Sequence, residues 1–537
     1  MRAKIILILI LFLAAILRIY YLNKIPNSLY TDEVSQGYNA FSILKTGRDE
    51  HGSFLPVSLR SFGDWKPPLP TYIMIPFVFV LGLDENAVRL PSAILGILSL
   101  VLAYQLVLSL FPGRNYKLAL FTSFFLAISP WHILQSRSAM LVMIAFFFYI
   151  SAVYYFQKGL HKNSFFILSF LSFSLSIYSY YGLRIIAPFT IIFLLLFYRK
   201  NINFLSRGFV FGVIAGLVIL LPLAINLLQK PDVVLGRAKT VSIFYDQGIK
   251  LRKWELITKD GLANPLLTQF FHNNYFLYTR DIVRRFLSHF DGKYLFLQGD
   301  TVDPFRIPSM GIFYLIDSLF LILGAYKLYE SKSQSKYILL FWLIIAVVPS
   351  ALTFITPASN RSFNVIFPLI LFIALGMTSV SKRIILSCAV SFIYIISLVY
   401  FLNQFFINMP LNHADWWRYQ LKETAKYAIS HEKKYQNVVF LSNYEMTYVY
   451  ILFYSRYNPE RFQNEAVRTH VADPFGFEHV ESFSKYIFYN DLNWKDIKDN
   501  RLPNSLYVVP LSQSGEETDY TKLINYPDGK AAFKIFL

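Results

Sequence analysis

The chain has a single cysteine, Cys388, among its 537 residues. One thiol excludes an intrachain disulfide and a metal site built from several cysteines. The sequence also lacks a glycine-rich phosphate-binding loop, and its nine histidines show no metal-ligand spacing. These absences argue against nucleotide-driven chemistry. They identify no cofactor and leave a requirement for a divalent cation open.

Charged residues are scarce as well. Asp, Glu, Lys and Arg make up 16% of the chain, whereas 55% is hydrophobic and 18% aromatic, and the mean hydropathy is +0.42. A soluble protein of this length needs more charged surface, so the composition indicates a polytopic membrane protein. The net charge of +18 lies mostly in short loops between apolar runs, which is a pattern of membrane topology. We therefore expect no nucleic-acid partner.

Apolar runs of about 20 residues are long enough to cross a bilayer as helices. The sequence contains about eleven such runs, and the first is interpreted as a retained span rather than a cleaved signal peptide. Residues 69–82 are apolar, but the segment is short and interrupted by Pro70 and Pro76, so we expect it to lie in the membrane interface. The predicted spans cover residues 4–22, 89–110, 117–131, 139–156, 163–180, 184–198, 207–228, 309–328, 336–355, 362–379 and 383–403.

Basic residues are divided unequally between the loops on the two sides of these spans. Loops on the N-terminal side hold two or three lysines and arginines each, whereas the short loops on the opposite side hold about one arginine each. The positive-inside rule therefore predicts a cytoplasmic N-terminus in a multi-pass protein of the plasma membrane. Residues 23–88, 229–308 and 404–537 then face outward.

The C-terminal tail differs in character from the rest of the chain. Residues 415–430 have the spacing of an amphipathic helix, and residues 437–442, 485–489 and 505–511 have the composition of strands. The fold class is therefore mainly α, with about eleven transmembrane helices and a small extracytoplasmic α/β domain. The predicted domains are a transmembrane catalytic domain at 1–403 and the α/β domain at 404–537.

Two adjacent acids mark the start of the first outer loop. Asp32 and Glu33 lie in Tyr30-Thr-Asp-Glu-Val-Ser-Gln-Gly-Tyr38, directly after the first predicted span. Acids are otherwise almost absent from the apolar segments. Carboxylates at the mouth of such a protein suit general acid–base catalysis, so both are candidate catalytic residues.

Further ionisable residues cluster at the predicted outer ends of the spans. A cation in a membrane is costly and usually faces a cavity or a partner, and a guanidinium group matches the oxygens of a phosphate. An anionic ligand at the outer interface is therefore expected. The candidates for binding this anion are Arg137, Arg184, Arg361, Arg18 and Lys66, and Asp64 and His132 are further candidate site residues.

Several motifs together resemble the GT-C class of membrane glycosyltransferases, in the superfamily of protein O-mannosyltransferases and aminoarabinose transferases (glycosyltransferase family 39-like). The resemblance spans the whole chain. It rests on Asp32-Glu33 after Leu17-Arg18-Ile-Tyr-Tyr-Leu22, on Lys66-Pro-Pro-Leu69, Val88-Arg-Leu-Pro-Ser-Ala93 and Ser129-Pro-Trp-His with Ser136-Arg137, on Arg184 with Pro188 and Arg361-Ser362, and on Tyr448-Val-Tyr-Ile-Leu-Phe-Tyr-Ser-Arg-Tyr-Asn-Pro459.

The resemblance implies a polyprenyl-phosphate sugar donor in the membrane lipid and a protein, lipid or glycan acceptor on the outer face. It implies an inverting transfer to a hydroxyl or amine, with Asp32 as the base and Glu33 assisting. It also implies that the basic candidates above bind the donor phosphate and that Asp64 and His132 belong to the acceptor site or its loop. Many relatives carry another acid soon after the Ser-Arg pair, but Ser138-Ala-Met-Leu-Val-Met-Ile144 contains none. That departure gives more weight to Asp32 and Glu33.

Two other classes share some of these features. A transporter or flippase for a lipid-linked sugar, or a polysaccharide polymerase or ligase, would also have many spans and outer arginines. A transporter should show ionisable residues near span midpoints and internal symmetry, and neither is evident. A non-catalytic binding protein would tolerate the loss of Asp32, and an assay of sugar transfer separates it from an enzyme.

Overall fold

In the computed structural model, residues 2–113, 115–245, 247–260, 265–380, 383–441, 445–469 and 477–537 are described. The chain forms two compact units. The first comprises Met1–Leu17, Leu95–Gln135 and Leu141–Phe401, and the second Arg18–Ile94, Ser136–Met140 and Leu402–Leu537. Residues 23–88, which the domain prediction assigns to the transmembrane part, therefore belong to the same unit as the C-terminal tail.

Helices dominate the chain, and each predicted span overlaps one of them, although the span predicted at 309–328 becomes helical only from Asp317. Short 3-10 and π-helical turns lie between the longer elements. In chain order the helices are α1 Arg2–Ile19, α2 Thr31–Thr46, α3 Leu69–Leu81, α4 Glu85–Leu110, α5 Tyr116–Ile128, α6 Pro130–Arg137, α7 Val142–Gly159, α8 Phe165–Ser179, α9 Leu183–Phe197, α10 Arg207–Gln229, α11 Pro231–Val241, α12 Gln247–Asp260, α13 Pro265–Phe271, α14 Asn274–Ser288, α15 Asp317–Glu330, α16 Ser335–Ala351, α17 Ile366–Val380, α18 Ile384–Asn403, α19 Met409–Asn412, α20 Tyr419–His431, α21 Thr447–Ser455, α22 Pro459–Glu465, α23 Trp494–Ile497 and α24 Leu511–Ser514.

The helices differ in whether they are long enough to cross a membrane. Within the described ranges, five helices are long and apolar enough to cross a membrane, or six if the bent pair α5 and α6 forms one span. Several others, such as α8 and α9 with 15 residues each, reach about 22 Å at 1.5 Å per residue, short of the roughly 30 Å hydrocarbon core. A multi-pass helical protein is supported, and the count of about eleven stays a prediction.

Small residues allow helices of the first unit to approach closely. At Gly324 of α15, an added Cβ would lie 1.7 Å from the carbonyl oxygen of Phe372 in α17. A side chain there would force the two helices apart, so glycine permits backbone contact between them. Close packing through small residues is a common means of association between membrane helices.

Helix α3 corresponds to the segment predicted to lie in the interface. Its 13 residues extend only about 20 Å, too short to cross the hydrocarbon core unaided. Phe79 and Val80 near its C-terminal end are each 74% exposed. Large exposed apolar side chains on a short helix fit contact with lipid at the interface.

The tail contains a mixed sheet of seven strands in the order β4-β5-β6-β3-β7-β9-β8. The predicted strands are its centre, because β3 pairs in parallel with both β6 and β7. An antiparallel hairpin, β1 with β2, lies between α2 and α3. The strands are β1 Leu59–Ser61, β2 Asp64–Lys66, β3 Asn437–Leu441, β4 Val467–Arg468, β5 Val480–Phe483, β6 Tyr486–Tyr489, β7 Ser505–Pro510, β8 Lys522–Asn525 and β9 Ala531–Phe536.

Strand β3 is buried on both faces, as expected for a central parallel strand. Val438 and Phe440 point to a large apolar core, whereas Val439 and Leu441 point to a smaller cluster around Trp494. The larger core also contains residues of α2, α3 and α21. The segment 23–88 and the C-terminal sheet therefore fold around one hydrophobic core.

Candidate active site

The N-terminus of α2 positions the two acids of the candidate site. Tyr30 is the N-cap, so Asp32 and Glu33 occupy the second and third positions of the helix. Glu33 Oε2 accepts a hydrogen bond of 2.8 Å from the backbone N–H of Tyr30, as in a capping box. The N–H groups of the first turn and the helix dipole stabilise negative charge here.

Asp32 forms an ion pair with Lys66. Lys66 Nζ donates to Asp32 Oδ1, across 34 residues of sequence. The Asp32 side chain is 44% exposed, whereas that of Lys66 is 9% exposed. Asp32 is thus an accessible carboxylate with a mostly buried cation beside it.

Glu33 occupies an entirely different environment. Its side chain and that of Arg89 are both completely buried, with Arg89 Nε 3.1 Å from Glu33 Oε1. Arg89 Nη2 donates to Glu33 Oε2 at 3.2 Å, and the Ala139 N–H donates to Glu33 Oε1 at 2.8 Å. With the bond from Tyr30, each oxygen of Glu33 accepts two hydrogen bonds.

Arg89 also organises the chain that leads from α1 to α2. It donates to the carbonyl oxygens of Pro26 at 2.7 Å, Leu22 at 3.2 Å and Ser28 at 2.5 Å. Sequence reasoning quoted Arg89 only as part of Val88-Arg-Leu-Pro-Ser-Ala93 and assigned it no role. Its position in an otherwise apolar helix could have been the signal, because a buried arginine requires partners.

Arg137 and Arg18 are both completely buried. Arg137 Nη2 donates to the carbonyl oxygens of Ile25 at 2.7 Å and Tyr21 at 3.2 Å, and its guanidinium lies 4.9 Å from the ring centre of Phe406. These contacts hold the segment that follows α1. Arg18 lies in the last turn of α1.

Three predicted site residues belong to the first unit. Arg184 lies near the start of α9, 5.2 Å from the ring centre of Tyr181. Arg361 Nη1 donates to Thr353 Oγ1 at 2.7 Å. His132 is buried in α6, with Nε2 3.0 Å from Ser99 Oγ.

Asp64 opens strand β2, on the hairpin that carries Lys66. Its Oδ1 accepts a bond of 2.9 Å from the backbone N–H of Trp65. The register pairs Leu59 with Lys66 and Ser61 with Asp64. Among the residues with described positions, no group of three or more His, Cys, Asp or Glu side chains is arranged to hold a metal ion.

A second buried acid, which the sequence analysis missed, lies in the loop after α2. Glu50 is completely buried, and its Oε1 is 3.8 Å from His51 Nε2. Burial raises the pKa of Glu50 to about 7, and the nearby Asp49 adds to this, although Arg468 acts in the opposite direction. Burial lowers the pKa of His51 to about 2, so His51 is neutral at physiological pH.

This environment predicts a pH-dependent stability for the protein. In the unfolded chain the pKa of Glu50 is near its ordinary value of 4.5, whereas in the folded protein it is about 7. The folded state therefore holds the proton more tightly, and its stability should fall as pH rises from about 4.5 to about 7. Glutamine at this position stays neutral. The melting temperature of Glu50→Gln minus that of wild type should therefore increase from pH 5 to pH 8. His51 is common to both proteins and cancels in the comparison. The exposed variant Glu481→Gln is the control. If the difference in melting temperature between Glu50→Gln and wild type is the same at all pH values, the prediction is contradicted.

The comparisons with known proteins identify the class of fold. Residues 65–225, less than half of the chain, match the family model described as dolichyl-phosphate-mannose-protein mannosyltransferase. The chain has the fold of ArnT from Cupriavidus metallidurans bound to undecaprenyl phosphate, with a TM-score of 0.54 at 11% identity, covering 99% of this chain and 97% of that chain. The matched family and ArnT are both glycosyltransferases. The predicted resemblance to the GT-C class is therefore confirmed.

Two other solved structures are similar over smaller shares of the chain. The oligosaccharyltransferase of Archaeoglobus fulgidus in the apo form matches with a TM-score of 0.47 at 15% identity, over 84% of this chain and 63% of that chain. The protein O-mannosyltransferase Pmt1-Pmt2 complex of S. cerevisiae bound to the sugar donor matches with a TM-score of 0.33 at 20% identity, over 42% of this chain and 33% of that chain. The chain thus spans less than two thirds of the oligosaccharyltransferase. A search of the curated proteins found no match.

Proposed function

We propose that this protein transfers a sugar from a polyprenyl-phosphate donor to a hydroxyl or amine of an acceptor on the outer face of the plasma membrane. The observation that carries the proposal is the accessible Asp32 carboxylate, paired with Lys66 at a helix N-terminus. The chain shares its fold with a structure that has undecaprenyl phosphate bound. The acceptor is a protein, a lipid or a glycan.

In the proposed reaction, the acceptor oxygen or nitrogen attacks C1 of the sugar as the bond from C1 to the phosphate oxygen breaks. Asp32 accepts the proton of the acceptor group, and polyprenyl phosphate leaves with the electron pair of the broken bond. Single in-line attack inverts the anomeric centre. Phosphate is a good leaving group, so the transfer needs a base and cations to stabilise the growing phosphate charge rather than a general acid.

Lys66 links donor binding to the readiness of Asp32. Its ammonium is paired with the Asp32 carboxylate. The donor is a phosphodiester with a single negative charge, like the carboxylate, but further negative charge builds up on the phosphate as its bond to C1 breaks, and the phosphate then competes for the ammonium. We propose that donor binding draws Lys66 away and leaves Asp32 free to accept a proton.

Glu33 has a positioning role in this proposal. Its oxygens are occupied by Arg89, Ala139 and Tyr30, so it holds the start of α2 and thereby Asp32. Arg184 and Arg361 remain proposed ligands of the donor phosphate, and Asp64 of the acceptor. Arg18 remains a further candidate for the phosphate. The contacts of Arg137 and His132 favour structural roles, since both side chains are buried within the fold.

The proposal includes the finer topology. About eleven spans with a cytoplasmic N-terminus leave loop 23–88, and with it Asp32 and Lys66, on the outer side. That location suits a lipid-linked donor, whose head group lies at the interface. The unequal distribution of Lys and Arg between the loops supports it.

The proposed function is tested by a transfer assay with purified protein in detergent. Synthetic undecaprenyl-phosphate sugars, a panel of labelled hexoses and aminopentoses, are incubated with the protein and an extract that supplies acceptors. We expect at least one donor to lose its sugar to the acceptor fraction, with release of undecaprenyl phosphate. Movement of an intact donor across proteoliposomes without sugar transfer would favour a flippase instead.

A substitution of Lys66 tests the phosphate assignment. Lys66→Met should weaken binding of undecaprenyl phosphate, because removing a hydrogen bond to a charged group costs about 1.5–3 kcal/mol, or roughly 10- to 150-fold in affinity. The measurement is a titration with undecaprenyl phosphate in detergent, and exposed Lys495→Met is the control. Equal affinities for wild type and Lys66→Met would remove Lys66 from the site.

A further inference from the structure

The position of Lys66 depends on a very small element. Lys66 ends β2, which pairs with β1 through only three residue pairs. Two-stranded hairpins of this size are marginally stable on their own. The β1–β2 hairpin, Leu59–Lys66, therefore needs support from other parts of the chain to hold the Lys66 ammonium in place.

Support comes from Glu478, next to strand β5 in the C-terminal tail. Arg60 Nη2 lies 2.5 Å from Glu478 Oε1, with 39% and 29% of the two side chains exposed. The backbone N–H of Glu478 donates to the carbonyl oxygen of Phe62 at 3.2 Å. One residue thus binds both the first strand of the hairpin and its turn.

Gly63 shows how closely the turn fits against Glu478. Its φ is +77°, and an added Cβ would lie 3.0 Å from Glu478 Cγ and 3.2 Å from the Glu478 nitrogen. Any other L-residue would be strained in this conformation and would also push on the backbone of Glu478. The turn and Glu478 therefore form a fitted contact.

The same turn touches Lys66. Lys66 Nζ lies 4.7 Å from the ring centre of Phe62, and that ring packs edge-on against Tyr448 of α21, with centroids 6.1 Å apart. A shift of the turn would move the surface on which the ammonium rests. Contacts from the C-terminal tail thus reach Lys66 through Phe62.

We infer that Arg60 and Glu478 are positioning residues for the donor phosphate, and that through them the C-terminal tail sets the affinity of the donor site. The inference rests on the proposed function, since it requires Lys66 to bind phosphate. It assigns the tail a part in donor binding, 412 residues after Lys66 in the chain. The tail is then more than an appended domain.

The test is a charge-exchange cycle at this pair. Arg60→Glu and Glu478→Arg each place like charges together and should weaken binding of undecaprenyl phosphate by roughly three- to tenfold. The double variant carrying both changes restores an opposite pair and should recover most of the affinity. Undecaprenol, which lacks the phosphate, should bind all variants equally. Lys498→Glu, at a pair of similar exposure with Glu517, is the matched control and should bind as wild type.

The outcomes separate this inference from the proposed function. If Lys66→Met weakens phosphate binding but both single variants bind within twofold of wild type, or if the double variant recovers nothing, the positioning role is overturned. If Lys66→Met itself has no effect, the phosphate assignment fails first. Should a reversal variant not fold, Glu478→Gln removes the charge without adding a repulsion, and unchanged affinity in that variant also overturns the inference.

Discussion

Replacing Asp32 with asparagine is expected to reduce the rate of sugar transfer by roughly 10²–10⁴-fold, the usual contribution of a general base. Asparagine keeps the size of the side chain but does not accept a proton at neutral pH. The carboxylate is 44% exposed, so its loss should change the fold little. Binding of undecaprenyl phosphate should be unchanged or tighter, because Lys66 loses its partner.

The decisive measurement is single-turnover transfer by purified Asp32→Asn with a saturating donor. Asp499→Asn, an exposed aspartate of the same unit, is the matched control and should keep the wild-type rate. A rate for Asp32→Asn within threefold of wild type would end the assignment of Asp32 as the base. Weak donor binding together with lost activity would instead indicate a structural role for Asp32.

Replacing Glu33 with glutamine should have its largest effect on stability. Both members of the Glu33–Arg89 pair are fully buried, and removing one charge leaves the other uncompensated, at a cost of roughly 3–5 kcal/mol. Glutamine also replaces one oxygen by an NH₂ group, which faces the N–H of either Tyr30 or Ala139. We therefore expect lower expression and a lower melting temperature in detergent.

A comparison with an exposed pair makes this prediction specific. Asp232→Asn breaks the ion pair with Lys239, in which 78% and 48% of the side chains are exposed, and should leave the melting temperature nearly unchanged. If Glu33→Gln melts like wild type yet has lost turnover, then Glu33 acts in the chemistry itself. The positioning role would then be wrong.

The assignment of different roles to neighbouring acids illustrates what a sequence leaves open. Residues adjacent in a helix point about 100° apart, so two consecutive carboxylates face different surroundings. Sequence reasoning placed both acids in the chemistry, with Asp32 as the base and Glu33 assisting it. Only the packing of α2 shows that one faces an accessible surface and the other a buried arginine.

Much of the fold was predictable because its signals are local. Long apolar runs predict helices through their composition, and each run overlaps a helix. Short runs rich in apolar, β-branched and aromatic residues at 437–442, 485–489 and 505–511 predict strands, which the structure contains as β3, β6 and β7 over the described residues. The number of membrane spans is harder to predict from the sequence, because composition does not reveal where turns shorten a helix such as α8.

Sequence by itself thus determined that this is a multi-pass helical protein with a sheet in its tail, and that acids and cations gather after the first span. These properties depend on residues near one another in the chain. Tertiary structure decided which of those residues meet: Asp32 with Lys66, Glu33 with Arg89, and Arg60 with Glu478. Such pairs form between distant segments brought together by a shared hydrophobic core, and no local pattern encodes which distant partner a charge will find.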